Sequence, residues 1–252
     1  MNWERAKTVL IVAFLLLDLF LFWLWSESNR EAAYIGGGLS GEAELLKNKF
    51  TQFSLTVPDW KGTPPKMRYW SLEDRTPEID RIVQKVRVIR DDPASGAFDI
   101  EFSERVPLKT LEDGEALKHL LSAEGEWLAG GRGVWRQTLD GFPIFDATVR
   151  ARLDGEFALG LEGHRFAVGE GGEARSLISP YVAVYALADR GLIPPGSAIE
   201  RFIPGYRRVT PKDSAPFLVP VWRIVVGDRA IDANGFLGTP IPVTPQNSST
   251  VR

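Results

Sequence analysis

The chain has 252 residues, of which 44% are hydrophobic and 25% are charged, a composition typical of a globular protein. It contains 30 Lys plus Arg and 33 Asp plus Glu, and the net charge of −3 gives no electrostatic basis for binding nucleic acid. The absence of cysteine excludes disulfides, thiol nucleophiles, iron–sulfur clusters and Cys-containing zinc sites. Because His119 and His164 are the only histidines, a His-based catalytic triad or a multi-His metal centre is poorly supported.

The most apolar segment lies near the N-terminus. Residues 9–25 read VLIVAFLLLDLFLFWLW and carry one charge. With the three preceding residues they reach about twenty, the number that crosses roughly 30 Å of hydrocarbon as a helix. Trp3 lies at one end and Trp23 at the other, as expected for aromatic rings at the two membrane interfaces. The sequence therefore predicts a cytoplasmic leader and transmembrane anchor within residues 1–30.

The charges beside the anchor predict its orientation. Arg5 and Lys7 outweigh Glu4 on the short leading side, so the positive-inside rule places the N-terminus in the cytoplasm. The protein is then a single-pass protein of the cell membrane, with its bulk outside the cytoplasm. A cleaved signal peptide is the alternative, since Ser26 and Ser28 have the spacing of a cleavage site. The apolar run is longer than the about 7 to 15 residues of a signal core, which favours an uncleaved anchor.

Asp18 lies near the middle of the predicted span. A carboxylate at that depth costs about 2.5 to 3.5 kcal/mol on insertion scales and usually faces a protein partner. The alternative is a single charge tolerated by a very apolar helix. Asp18, with Trp3 and Trp23 at the interfaces, is therefore the candidate for contact with the transmembrane helix of another protein.

Glycine-rich stretches divide the rest of the chain. Gly36–Gly38 predicts a flexible linker over residues 31–39. A second glycine-rich stretch, residues 169–172, predicts the boundary between an exported subdomain at 40–168 and another at 173–252.

Hydrophobic periodicity and turn residues predict the secondary structure. Helices are expected around Ala43 to Phe50, over residues 112–128, and from the N-cap Ser179 through Pro180 to a stop at Gly191. Strands are expected over residues 53–57, 82–89, 98–102, 134–139, 144–153, 156–166, 199–207, 217–226 and 229–233. Asp140-Gly141 and Asp154-Gly155, which separate three of these strands, predict hairpin turns.

A faint internal duplication accompanies these elements. A helix followed by three strands occurs twice, and each copy contains an Xaa-Pro-apolar-aromatic tetrad, at residues 142–145 and 219–222. The predicted fold class is α+β, with an N-terminal transmembrane helix followed by an exported domain of two similar helix-plus-antiparallel-sheet subdomains. The alternative is that proline beside aromatic residues simply marks the start of a strand.

Several blocks of sequence resemble the YycI-type regulatory proteins of the YycH/YycI family. The chain opens with MNW, continues with KT and then FLLLDLFLF, and carries later blocks in the family's order: SLTVP at 54–58, GFPIFD at 141–146, SP at 179–180, IPGY at 203–206 and VPVWRI at 219–224. The blocks mark these motif residues as structurally important: Pro143, Phe145, Gly205, Tyr206, Pro220 and Trp222.

The resemblance implies a non-enzymatic, membrane-anchored regulator without a cofactor. Proteins of this family act with a related protein, YycH, on the sensor histidine kinase YycG, also called WalK, which governs cell-wall metabolism in Gram-positive bacteria. The exported region is expected to be similar in fold to the last two domains of YycH. The expected partners are thus a YycH-like protein, a kinase of the YycG/WalK type and the membrane.

Two other functions remain open from the residues alone. An exported cell-wall- or peptide-binding module would use an aromatic-lined groove, which Trp60, Trp70, Trp127 and Trp135 could furnish. A membrane-anchored hydrolase would need a converging acid/base pair. The lining of any pocket distinguishes these possibilities. Aromatic residues favour a binding module, carboxylates favour a hydrolase, and the absence of a pocket favours neither.

Overall fold

A computed structural model describes residues 7, 14, 17, 18, 39–73, 86–92, 94–112, 114–121, 126–212 and 214–241. The chain divides into two units, Met1–Lys49 and Phe50–Arg252. In the first unit Phe14, Leu17 and Asp18 are helical and exposed, whereas Trp3, Trp23, the rest of the predicted span and most of the predicted linker lie outside the described residues. Among the described residues, none of the helices combines the length and the apolarity needed to cross a bilayer.

The helices whose bounds lie within the described residues are short. They are α1 (Leu39–Gln52), α2 (Leu108–Leu111), α3 (Glu115–Leu121) and α4 (Pro180–Asp189). Helix α4 begins where the sequence predicts: the Ser179 hydroxyl accepts a hydrogen bond from the Tyr181 amide at 3.3 Å, and Pro180 occupies the first turn. The N-cap accepts a hydrogen bond from one of the unpaired amide N–H groups at the start of the helix, and proline has no N–H that needs a partner. The local sequence therefore fixes this end of the helix.

Strands dominate the second unit. They are β1 (Lys66–Met67), β2 (Trp70–Leu72), β3 (Val86–Asp92), β4 (Ala97–Pro107), β5 (Glu126–Gly131), β6 (Val134–Leu139), β7 (Phe142–Asp154), β8 (Phe157–His164), β9 (Val168–Gly171), β10 (Arg175–Ser176), β11 (Arg201–Val209), β12 (Phe217–Val226) and β13 (Arg229–Asn234). The main sheet has the order β3-β4-β8-β7-β11-β12-β2-β9, with β5 and β6 beside β7 and β13 beside β12. The fold class is α+β and is dominated by sheet.

Within the described strands, β7 and β11 form the single parallel pairing, between Ile144 and Tyr206; the other pairs are antiparallel. This pairing joins strands on either side of the predicted subdomain boundary into one sheet. The division into two subdomains stays a prediction.

The turn between β6 and β7 confirms a hairpin predicted from the sequence. Asp140 and Gly141 both have positive φ, 52° and 78°. A two-residue turn with this geometry matches the right-handed twist of antiparallel strands, and Asp-Gly adopts it at low cost.

The predicted helix over residues 112–128 is wrong in its C-terminal part. Trp127 and Leu128 lie in strand β5, where Trp127 is 5% exposed and Leu128 is 52% exposed. Neighbouring residues on opposite faces show the period of a strand rather than that of a helix. The predicted strand over 53–57 is also wrong, because it is reduced to one bridge between Thr56 and Ala198.

A large hydrophobic cluster lies where α2 and α3 cover strands β3 to β8. Its buried members are Val86, Phe98, Ile100, Leu108, Leu111, Leu117, Leu120, Leu121, Trp127, Trp135, Val149, Ala158 and Leu161. Each of these large side chains contributes about 1.5 to 3 kcal/mol when it is fully removed from water. The short helices α2 and α3 are therefore held by the sheet they cover rather than by their own length.

Around α4, aromatic residues bind the loop before β1. Trp222 on β12 packs edge-to-face against Trp60 at 5.7 Å between ring centroids. The Tyr181 hydroxyl accepts a hydrogen bond from the Trp60 amide at 2.7 Å and donates one to the Pro58 carbonyl at 3.2 Å. These contacts fix an otherwise irregular segment against the helix.

Gly205 allows β7 and β11 to approach each other. A Cβ atom at this position would lie 2.6 Å from the Phe145 ring and 2.6 Å from the Pro143 carbonyl oxygen. Both distances are shorter than van der Waals contact, and the carbonyl belongs to backbone that the sheet holds in place. The parallel pairing of β7 with β11 therefore requires glycine here.

We predict that Gly205→Ala lowers the free energy of unfolding by about 1 to 3 kcal/mol, because overpacking forces strands apart or side chains off their rotamers. Urea unfolding of the full chain in detergent, followed by tryptophan fluorescence, measures this loss. Gly130→Ala is the matched control, since the nearest atom to its Cβ would be 3.7 Å away; it is expected to change stability by less than about 0.5 kcal/mol. Equal losses in the two variants would contradict the role of close approach.

Candidate functional site

The motif residues named from the sequence meet on neighbouring strands. Pro143 and Phe145 lie on β7, Gly205 and Tyr206 on β11, and Pro220 and Trp222 on β12. In the register, Tyr206 lies opposite Pro220 on one side and Ile144 on the other. The two tetrads at 142–145 and 219–222 thus flank the IPGY block, and we call this region the junction.

One face of the junction packs toward α4. Trp222 is 1% exposed, and its indole N–H donates to the Ile178 carbonyl at 2.9 Å. The Tyr206 hydroxyl accepts a hydrogen bond from the Trp70 indole at 3.3 Å, and burial raises the pKa of Tyr206. These polar atoms are paired within an apolar layer, so this face stabilises the fold rather than presenting reactive groups.

The opposite face carries a chain of buried ion pairs. The Arg223 guanidinium donates to both Asp232 oxygens at 2.7 Å, and Arg207 Nε lies 3.3 Å from the same carboxylate. A second guanidinium nitrogen of Arg207 lies 2.8 Å from Asp146, which also accepts the Arg208 backbone amide at 2.8 Å. We call Asp146, Arg207, Asp232 and Arg223 the charge network; they come from β7, β11, β13 and β12.

The charge network is balanced and nearly sealed from water. The Asp232 side chain is 3% exposed and that of Asp146 is 9% exposed. Burial raises the pKa of Asp146, and the Arg207 guanidinium opposes that rise. Two carboxylates and two guanidinium groups can share the interior only because each is paired with good geometry.

Phe145 links the network to β6. The Arg223 guanidinium lies 3.6 Å from the centroid of the Phe145 ring, and that of Arg136 lies 5.9 Å from it. Burial lowers the pKa of Arg136, and the charge of Arg223 lowers it further. The two cations both use the negative face of one ring, which partly offsets their mutual repulsion.

Arg208 and His164 lie at the edge of the junction. Arg208 donates to the Ala94 and Ser95 carbonyls at 2.9 Å each, which ties the turn between β3 and β4 to β11. Burial lowers the pKa of His164; the charges of Arg208 and Arg90 also lower it, and that of Asp146 opposes them. His119 lies exposed on α3. No group of three or more His, Asp or Glu within the described ranges is arranged to hold a metal ion.

A groove of about 660 Å³ opens beside the junction. It is lined by Tyr69, Trp70, Ser71, Glu170, Gly172, Val209, Phe217, Val219, Asn234, Pro240 and Ile241. Of the tryptophans considered from the sequence, Trp70 lines it, whereas Trp127 and Trp135 are buried in the large cluster. The groove is thus aromatic and aliphatic, and it contains one carboxylate rather than an acid/base pair.

The charge network was not predicted from the sequence. One of its residues does carry a signal, since Arg223 is the one charge in the strand FLVPVWRIVV, which is otherwise apolar. A charge inside such a run points to a buried partner, because unpaired charges are excluded from the interior. The identity of the partner depends on the order of strands.

We predict that Asp232→Asn lowers the free energy of unfolding by about 3 kcal/mol or more, because it leaves two buried arginines without their shared carboxylate. Denaturant unfolding of the full chain measures this effect. Asp154→Asn breaks the exposed pair with Arg105 at 3.0 Å, whose side chains are 48% and 65% exposed, and serves as the control. We expect it to cost less than about 1 kcal/mol. Similar costs would contradict a structural role for the buried network.

We further predict that stability falls as pH decreases below about 6.5, the ordinary pKa of histidine. The pKa of His164 is lowered in the folded state, so the unfolded chain binds more protons in the window between the two values. The free energy of unfolding then decreases with falling pH and levels off below the folded pKa. His164→Gln should flatten this part of the profile. A profile unaltered by His164→Gln would count against this assignment.

Two solved structures are similar to the chain at low sequence identity. A protein of Eubacterium rectale, described as uncharacterized, has a TM-score of 0.33 and 9% identity to this chain, covering 63% of this chain and 49% of that one. The chain thus spans about half the length of that structure. The C-terminal domain of Bacillus megaterium YpeB has a TM-score of 0.31 and 12% identity, covering 78% of this chain and 94% of the domain. No curated protein matches the chain significantly.

The family comparison covers the junction itself. The family model described as YycI protein matches residues 129–234, fewer than half of the residues of the chain. The matched segment contains both tetrads, helix α4 and every member of the charge network. This match confirms the resemblance found in the sequence, and it supports the identification of a YycI-type regulatory protein.

Proposed function

We propose that this protein is a non-enzymatic regulator of a sensor histidine kinase of the YycG/WalK type and that it acts with a YycH-like partner. The YycI match over residues 129–234 carries this proposal. It supports a role in a two-component system of the YycG/WalK type, and it supports regulation rather than catalysis. The partner and the membrane contacts go beyond that match and rest on residues of the anchor and of the exported domain.

The proposed topology is a single membrane anchor with an exported domain. The apolar run at 9–25 and the positive charges before it support an anchor whose N-terminus lies in the cytoplasm. Residues 40–168 and 173–252 would form two similar exported subdomains. The paired tetrads and the parallel contact of β7 with β11 support an arrangement in which the two share one sheet.

The proposed mechanism is a shift between two states of the kinase. A bound protein shifts such an equilibrium only if it binds one state more tightly than the other. The anchor can supply differential contacts inside the membrane, where Asp18 would bond a polar group of a partner helix. The exported domain can supply further contacts outside.

Peptide or cell-wall binding is the second candidate function. The groove lined by Tyr69, Trp70 and Phe217 favours it, because recognition sites for small ligands and peptides are concave and mostly apolar. This function is compatible with regulation, since a regulator can also bind a ligand outside the membrane.

We predict that Asp18→Leu improves insertion of the isolated span but weakens assembly with the kinase and the YycH-like protein several-fold. The carboxylate is costly in lipid and useful only in the complex; interhelical hydrogen bonds are worth about 0.6 kcal/mol on average and seldom more than about 2. Asp18→Asn should be milder, because an amide still bonds across the interface. The inserted fraction of the isolated span measures the first effect, co-purification from membranes measures the second, and kinase-dependent transcription reports the consequence for regulation.

Leu16→Ala controls for the loss of apolar contact in the same helix. If Asp18→Leu assembles and regulates as the parent does, the contact through Asp18 is contradicted and the exported domain must carry the interaction. If the parent chain neither co-purifies with the kinase nor changes its output, the regulatory function itself is contradicted.

A further inference from the structure

The groove occupies a notch in the edge of β12. Leu218 pairs with Trp70 of β2, and Val221 pairs with Asn234 of β13. Between them, Val219 and Pro220 have no strand partner on that side within the described chain. The notch is therefore the gap between β2 and β13, which pair with the same edge of β12.

The notch offers no free backbone groups for strand pairing. Pro220 has no N–H, and its carbonyl already accepts the Gly235 amide at 2.8 Å. Backbone groups of successive strand residues point to alternate sides, so those of Val219 point toward β11. A β-strand could not add to this edge through a hydrogen-bond ladder. At these two residues a ligand is recognised by side-chain contacts alone.

The side chains in the notch form an aromatic surface with one charge. Tyr69 is 39% exposed, and its ring packs edge-to-face against Phe217 at 6.1 Å between centroids. Val209, Val219 and Ile241 provide an aliphatic floor. Among the described residues of the lining, Glu170 is the one that carries a charge. The surface thus favours an apolar ligand with a positive charge at one end.

A polyproline II helix has the required properties. It forms no internal hydrogen bonds, its backbone does not need a strand partner, and its proline rings pack on aromatic side chains. A basic residue beside the prolines would complement Glu170. We propose that the groove binds a proline-rich segment of another protein in the polyproline II conformation, with an Arg or Lys against Glu170.

This inference rests on the second candidate function, peptide binding at the groove, and it is independent of the proposed kinase regulation. The regulatory proposal is tested through the anchor and through co-purification of the kinase, whereas the groove is tested by peptide binding to the purified full chain. Either proposal can therefore fail while the other stands.

The test uses a fluorescein-labelled peptide, Pro-Pro-Val-Pro-Pro-Arg, and fluorescence anisotropy with the full chain in detergent. Saturable binding is expected. A peptide with serine in place of every proline and valine should bind at least about tenfold more weakly, because it lacks the apolar contacts and the preformed conformation. Equal binding of the two peptides, or no saturable binding of the first, would overturn the proposal.

Variants of the groove locate the binding. Tyr69→Ser should weaken binding about tenfold through loss of the aromatic contact. Phe157→Ser is the matched control, because Phe157 is also 39% exposed but lies outside the groove, and it should bind as the parent does. Thermal unfolding of both variants verifies that they are folded. Equal losses of affinity in the two would overturn the assignment to the groove.

A charge exchange tests the role of Glu170 without removing an apolar contact. Glu170→Lys should weaken binding of the Arg peptide, and it should strengthen binding of a peptide ending in Glu, by up to about fivefold in each case. No change with either peptide would overturn the placement of the basic residue.

Two results would assign the groove to another occupant and overturn the proposal. Tyr69→Ser could convert a dimer into a monomer in sedimentation while the parent binds no peptide, which would make the groove a contact between copies. Peptide binding could also appear only after residues 242–252 are removed, which would make the chain's own C-terminal segment the occupant.

Discussion

The charge network at the junction constrains the arrangement of the strands around it. Asp146, Arg207, Asp232 and Arg223 come from separate strands, and each is paired with a charge on another strand. A shift of one residue in any of these strands would move its charge to the other face and leave the partner unpaired in the interior. The network therefore specifies one register, although a hydrophobic replacement could be as stable. The charge network also holds Phe145 against Gly205, where β7 and β11 pair.

The groove depends on the same arrangement. Its walls come from distant parts of the chain: Tyr69 to Ser71 on β2, Val209 at the end of β11, Phe217 and Val219 on β12, and Pro240 with Ile241 after β13. Strand β12 brings them together because it pairs with β11 on one side and with both β2 and β13 on the other. Pro220 then leaves the notch without a free donor. The groove thus results from the ordinary rules of sheet pairing.

Local signals in the sequence were most reliable where one or two residues decide the structure. Ser179 and Pro180 predicted the start of α4, and Asp140 with Gly141 predicted the hairpin between β6 and β7. The helix predicted over residues 112–128 is wrong at its C-terminal end. The leucines repeat at helical spacing, but Trp127 lies in a strand and packs in the large core. Packing against β6 outweighs helix propensity there, since propensity differences of a few tenths of a kcal/mol per residue are small beside the burial of a tryptophan.

The sequence alone excluded chemistry that needs cysteine, identified the motif residues and revealed the resemblance to YycI proteins. These conclusions depend only on residue types and on their order. The sequence also marked the residues on which a membrane anchor would depend. The tertiary structure alone decided which charges are paired and which aromatic residues form a groove. Arg207 and Asp146 are far apart in the chain, and Trp70 could have been buried as Trp127 is. The strand order selects these neighbours, and many strand orders satisfy the same local pattern of alternating apolar residues, so only the assembled sheet distinguishes among them.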